Sequence, residues 1–128
     1  MSKGPITCHV LDVSIGKPAE GVDITLQVYD DKGRISVFNP LAYGVTDSDG
    51  RCMSLLPPHG SEEAKQAGKA ITTGIYKIVF KPNEYFAKSG RKCFYPWVEI
   101  PFQIEKPEEH YHIPLLISPY SFTTYRGS

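Results

Sequence analysis

Val22–Asp30 reads VDITLQVYD, and its period of two decides the fold class. Val22, Ile24, Leu26 and Val28 fall on one face; Asp23, Thr25, Gln27 and Tyr29 fall on the other. Successive side chains of an extended chain point to opposite faces, so this alternation marks a half-buried β-strand. DDKG (30–33) follows as a turn signal, and RISVFN (34–39) reads as the returning strand of a hairpin.

The same period recurs on both sides of this hairpin. ITCHVLDV (6–13) sets Ile6, Cys8 and Val10 on one face and Thr7, His9 and Leu11 on the other. TDSDG (46–50) is a further turn, leading into Arg51. IYKIVFK (75–81) groups Tyr76, Ile78 and Phe80, and WVEIPFQIE (97–105) groups Val98, Ile100, Phe102 and Ile104. Pro101 cannot donate to a ladder, which predicts an edge position or a bulge there. Two more strands are expected over about His110–Ser118 and Tyr120–Arg126, broken at Ser118–Pro119. PNEYFAKSG (82–90) is the one good helix candidate: Pro82 and Asn83 can start it and Gly90 can end it. SEEAKQAGKA (61–70) has helix formers but no apolar stripe and reads as a polar surface loop, and His59 beside it is given no role. Many short strands with turns between them and one short helix predict an all-β, antiparallel sandwich.

Bulk composition narrows the function classes. The 128 residues suit a single domain spanning 1–128, large enough to bury a core without disulfides or a structural metal. With 14 basic and 14 acidic residues the net charge is zero, which argues against a nucleic-acid partner. Lys88, Arg91 and Lys92 make only a short basic patch, read as a solvated loop. Three cysteines, Cys8, Cys52 and Cys93, form no Cys-x-x-Cys pair, so neither a disulfide framework nor a zinc knuckle is expected; Cys8 reads as a small core residue. No apolar run is long enough to span a membrane and none at the N-terminus resembles a signal peptide. These features predict a cytoplasmic protein; a peroxisomal one is the alternative, although Arg126-Gly127-Ser128 is not the Ser-Lys-Leu peroxisomal address.

Chemistry-bearing residues are few. His110 and His112 are two apart in a strand and share a face, while His9 lies opposite the apolar face of the first strand. Each taken singly can be a solvated side chain. Together, one sandwich face could collect His9, His112 and Arg51. Imidazole serves as a general base near neutral pH, and a guanidinium binds an oxyanion. That set could hydrolyse a small polar ring or merely bind an anion. A metal site on His9, His110 and His112 is the remaining alternative, and survival of activity in EDTA would remove it. There is no phosphate loop, no Gly-x-Ser-x-Gly elbow and no His-Glu-x-x-His.

Three segments carry a resemblance. ITCHVLDVSIGKPAEGV (6–22), TDSDGR (46–51) and EEHYHIPLLISPYSFTTYRGS (108–128) resemble the transthyretin-related proteins, and within them the 5-hydroxyisourate hydrolases. The terminal Tyr125-Arg126-Gly127-Ser128 is the most specific part, because it separates the hydrolases from the hormone carriers. The resemblance implies two four-stranded sheets with one short helix, assembled as a homotetramer (a dimer of dimers) with sites in the channel between dimers. It implies hydrolysis of 5-hydroxyisourate to 2-oxo-4-hydroxy-4-carboxy-5-ureidoimidazoline in urate catabolism, with no cofactor and no metal. Matched motif to motif, His9, Arg51 and His112 would be catalytic. His9 or His112 would activate water, and Arg51 would steady the developing negative charge. Tyr125 and Ser128 would contact the substrate or orient the trio, neighbouring subunits would hold the tail, and Arg126 would either bind substrate or pair across the interface and fix the tail. A transthyretin-like carrier without catalysis is the alternative. Two segments depart from the family pattern: Pro57–Thr73 is longer, and FNPLAYGVTDSDGR (38–51) is unusual ahead of Arg51.

Overall fold

Two sheets face each other across one apolar core. The computed structural model describes residues 4–58, 61–63 and 71–128. In chain order the strands are β1 (Ile6–Asp12), β2 (Lys17–Pro18), β3 (Asp23–Asp30), β4 (Val37–Val45), β5 (Arg51–Cys52), β6 (Gly74–Lys81), β7 (Val98–Ile104), β8 (Tyr111–Ser118) and β9 (Ser121–Thr124). A helix, α1 (Asn83–Ala87), lies between β6 and β7. One sheet has the order β2-β1-β8-β9, with β5 also on β1; the other has the order β4-β3-β6-β7.

The expected sandwich is present, and so are the alternations that predicted it. Ile6, Cys8, Val10, Ile24, Leu26, Ile78, Phe80, Leu115 and Ile117 have no exposed surface. Val28, at the outer end of β3, is only partly buried. One pairing departs from the antiparallel rule: β1 and β8 run parallel. A period-two pattern states which face a residue takes, not which neighbour it meets or in what direction. The hairpin strand β4 is displaced from the expected 34–39 and continues through Pro40 to Val45. It tolerates Pro40 because it is an edge strand with a register shift, Leu26 meeting Ala42 and Gln27 meeting Pro40. Pro101 likewise lies in an edge strand, β7, as expected.

Of the loop expected over 61–70, residues 64–70 lie outside the described residues, as does His59; Glu62 and Glu63 are helical and exposed. The expected helix over 82–90 is helical only from Asn83 to Ala87. Its end is set by Gly90, at φ +70°, where the Gly90 N–H donates to Ala87 O (3.0 Å) and the Arg91 N–H to Phe86 O (3.0 Å). This left-handed cap satisfies two of the carbonyls a helix end leaves open. It also directs Arg91 back to β1, where Arg91 Nη2 lies 2.9 Å from the fully buried Asp12 carboxylate. Tyr85 Oη donates to the same carboxylate at 2.7 Å, and Ser14 donates through both its N–H and its hydroxyl. Burial opposes ionisation of Asp12, but the hydrogen bonds from Ser14, Tyr85 and Arg91 outweigh it and hold its pKa below the ordinary carboxylate value.

A depressed folded-state pKa gives stability that is complete above the unfolded value and lost as pH falls through the folded one. Asp12→Ala is therefore expected to lower Tm by about 5 °C at pH 7, on the order of one lost charged hydrogen-bond set. The gap to wild type should narrow once pH drops below about 4, the unfolded carboxylate value. Thermal melts of both proteins from pH 7 to pH 3 check this; a pH-independent gap would contradict it.

Candidate active site

The site grows from the outward face of β1. While Ile6, Cys8 and Val10 enter the core, Thr7, His9 and Leu11 point the other way. β8 alternates in the same sense, with Tyr111, Ile113, Leu115 and Ile117 buried and His112, Pro114 and Leu116 outward. The parallel register sets Thr7 beside His112 and His9 beside Pro114. On the other edge of β1, β5 sets Arg51 directly opposite His9. Side chains paired this way share a face. The register of the unusual segment before Arg51 is thereby fixed, and His9, Arg51 and His112 are neighbours.

Arg51 is delivered by a tight turn. The Asp47 carboxylate accepts from the backbone N–H of Asp49 (2.9 Å) and of Arg51 (3.0 Å), and Gly50 N–H donates to Asp47 O (2.8 Å). Gly50 has φ +74°, and a side chain there would run into the Val10 carbonyl, so only glycine closes this turn. Cys8 and Cys52 pair one residue away from His9 and Arg51, on the core side. Their mutual hydrogen bond and burial push the Cys8 thiol up, and the same bond draws Cys52 down. Cys8 is the core residue its alternation predicted.

The tail closes the arrangement. After β9 the chain turns back along β8, and Gly127 N–H donates to His112 O at 2.8 Å in an isolated bridge. Gly127 lies so close to the His112 ring that a Cβ there would come within 2.5 Å of Cδ2. Arg126 lies over the Tyr111 ring (4.4 Å to its centroid) and reaches Glu109 at 3.2 Å and His110 O at 3.3 Å. Contacts within the chain pin the tail. Arg126 meets a counter-charge, Glu109, on its own chain, because the tail folds back beside the Glu109–His110 segment.

The result is a cleft of ≈ 300 Å³ lined by Arg51, His112, Tyr125 and Ser128, together with Thr7, Met53, His110 and Gly127. His9 stands at its margin, its ring centroid 6.5 Å from that of His112. All five expected residues are thus at or beside one cleft. Three contributors were not read from the sequence as site residues: Thr7, Met53 and Gly127. Thr7 is fully buried although it lies on the outward face, because the rings of His110 and His112 and the tail cover it. Its Oγ1 lies 2.7 Å from His112 Nδ1 and 2.9 Å from His110 Nε2. The signal that could have found it is its position two residues before His9, on the same face. Among the described residues, no group of three or more His, Cys, Asp or Glu side chains is arranged to hold a metal ion.

A sandwich with a histidine–arginine cleft closed by its own C-terminal segment defines a class, and sequence comparison gives the family. The profile of the HIUase/Transthyretin family matches residues 6–127, and the chain belongs to that family. It is 39% identical over 124 residues to the 5-hydroxyisourate hydrolase of Mus musculus, covering 97% of this chain and 95% of that one. The solved structure of Klebsiella pneumoniae 5-hydroxyisourate hydrolase superposes with a TM-score of 0.74 at 32% identity, over 100% of both chains. Transthyretin from Sparus aurata superposes with a TM-score of 0.78 at 28% identity, over 96% of each chain. The solved hydrolase and the solved transthyretin therefore both superpose on this backbone.

Proposed function

We propose that this protein hydrolyses 5-hydroxyisourate, opening a ring C–N bond of the cyclic amide. The observation that carries the reading is the cleft in which Arg51, His112, Tyr125 and Ser128 converge, with His9 at its edge. The similarity to hydrolases of that name over almost the whole chain supports the same choice. His112 Nδ1 is engaged with Thr7, and we assign Nε2 to the reaction. That nitrogen, or His9, takes a proton from water as the water attacks the ring carbonyl. The Arg51 guanidinium stabilises the oxyanion that forms. Collapse of that intermediate breaks the C–N bond; the leaving ring nitrogen takes the proton held by the histidine and becomes the terminal NH2 of the ureido group, and the attacked carbon becomes the carboxyl group. These steps use side chains alone. Carried out in heavy-oxygen water, the reaction should place one labelled oxygen in the new carboxylate. No label, or substrate loss no faster than without protein, would reject the reading.

The assembly we infer is a homotetramer, with the cleft facing a channel between dimers. β7 and β9 are each an edge strand of their sheet, and an edge strand is a template for pairing with another chain. Tyr120 and Phe122 are exposed beside the β9 edge. An apolar hollow of ≈ 290 Å³, lined by Ile100, Phe102 and Ile113 among others, lies beside the tail. Sedimentation velocity would show a particle of four 14.3 kDa chains; a monomer at micromolar concentration would refute it. Three free thiols are compatible with a reducing, cytoplasmic setting. No described helix is long and apolar enough to cross a membrane.

A further inference from the structure

We propose that Thr7 and His110 are positioning residues for His112, and that the charge on His110 selects the tautomer His112 presents to the cleft. The inference rests on the assignment of His112 to the reaction. Thr7 Oγ1 stands between the two imidazoles, 2.7 Å from His112 Nδ1 and 2.9 Å from His110 Nε2. The two rings lie nearly parallel, 19° apart, with centroids 6.4 Å from each other. Thr7 is fully buried, and its backbone pairs in register with His112. A threonine side chain has few χ1 choices, so its hydroxyl is a stiff spacer.

A hydroxyl carries one proton. It can donate to one ring only; fully buried, it is best satisfied by donating to one ring and accepting from the other, which couples the two histidines. When His110 is a cation, its Nε2 carries a proton and donates to Thr7. Thr7 then donates to His112 Nδ1, and a neutral His112 keeps its proton on Nε2, where it cannot accept another. When His110 is neutral with a bare Nε2, Thr7 donates to it. His112 Nδ1–H then donates to Thr7, and the Nε2 lone pair becomes the base. Base-competent His112 is therefore favoured by uncharged His110. Other charged or titratable groups around this set include His9 and Arg51 from β1 and β5, Tyr125 and Arg126 from the tail, and Glu109 ahead of β8. Arg126 reaches the His110 carbonyl, not its ring, and its charge is constant across the working range.

Thr7→Val keeps the shape and removes the hydroxyl, and Thr7→Ser restores a hydroxyl. The expected result is a fall in kcat of about tenfold or more in Thr7→Val, with KM little changed, and substantial recovery in Thr7→Ser. His110→Asn presents a permanent acceptor to Thr7 in one of its orientations. Its kcat/KM should lose one ionisation from the acid limb of the pH profile. Nitrogen NMR of the imidazoles supplies a readout that does not depend on turnover. Lowering pH through the His110 titration should move the His112 proton from Nδ1 to Nε2 in wild type, and this exchange should vanish in Thr7→Val. An unchanged His112 tautomer pattern in folded Thr7→Val, or wild-type kcat in that variant, overturns the proposal. Absence of hydrolysis in every protein would reject the hydrolase reading instead, and the NMR result would still decide the tether.

Discussion

Arg51→Gln is expected to lower kcat/KM for 5-hydroxyisourate by about 10²–10³-fold while leaving Tm where it was. The size follows from the role proposed for the guanidinium. Charge builds on the carbonyl oxygen only as water attacks, so a cation already in place stabilises the transition state more than the substrate. Glutamine can still offer a hydrogen bond, but without the charge or the forked geometry. Stability should be spared because Arg51 is solvent-exposed and its placement depends on backbone bonds to Asp47, which the substitution leaves intact. The loss should fall on kcat more than on KM. Steady-state kinetics with a thermal melt of the same sample check both halves. A rate within threefold of wild type would remove Arg51 from the chemistry; a large drop in Tm would make its role structural.

Gly127→Ala should be nearly as damaging, although it adds one methyl group to an exposed-looking tail. An added Cβ would come within 2.5 Å of His112 Cδ2 and 3.2 Å of both His112 Cγ and Pro114 Cγ. Neither neighbour can yield easily. Pro114 is buried in β8, and the His112 ring is tied to Thr7. Either the tail lifts, breaking the Gly127 N–H bond to His112 O, or the ring leaves Thr7. Both displace a residue of the cleft by on the order of 1 Å, which can cost about 10² in rate. The core is untouched, so Tm should move little. Gly33→Ala is the matched control, since a Cβ there meets nothing closer than 3.9 Å. Equal activity in the two alanine variants would mean that the tail does not need its close approach.

Much of this site can be read along the chain, for a physical reason. Alternation alone puts His9 opposite a core face, and the spacing of His110 and His112 puts them together. Turn chemistry in TDSDG announces that Arg51 follows a reversal. What alternation cannot state is which strands lie side by side. The parallel pairing of β1 with β8 brings Thr7 to His112, and nothing local marks it, because the two segments lie about a hundred residues apart. Thr7 was invisible for a second reason: on an outward face a threonine reads as solvated until a tail is known to cover it. The two-residue strands Lys17–Pro18 and Arg51–Cys52 are too short to show a period. Pro40 inside β4 ran against the usual meaning of proline, and an edge position with a shifted register reconciles it. The ion pair of Arg126 with Glu109 depended on the path of the tail, which no pattern in the sequence gives.

The central claim is that the cleft around His112 hydrolyses 5-hydroxyisourate, and one assay bears on it most directly. Urate oxidase generates the substrate in the cuvette, and its ultraviolet decay is followed alone, with wild type, and with His112→Asn. Wild type should speed the decay well beyond the spontaneous rate, and folded His112→Asn should lose at least about 10² of that acceleration. Decay no faster with wild type than with buffer, or equally fast with His112→Asn, would contradict the account.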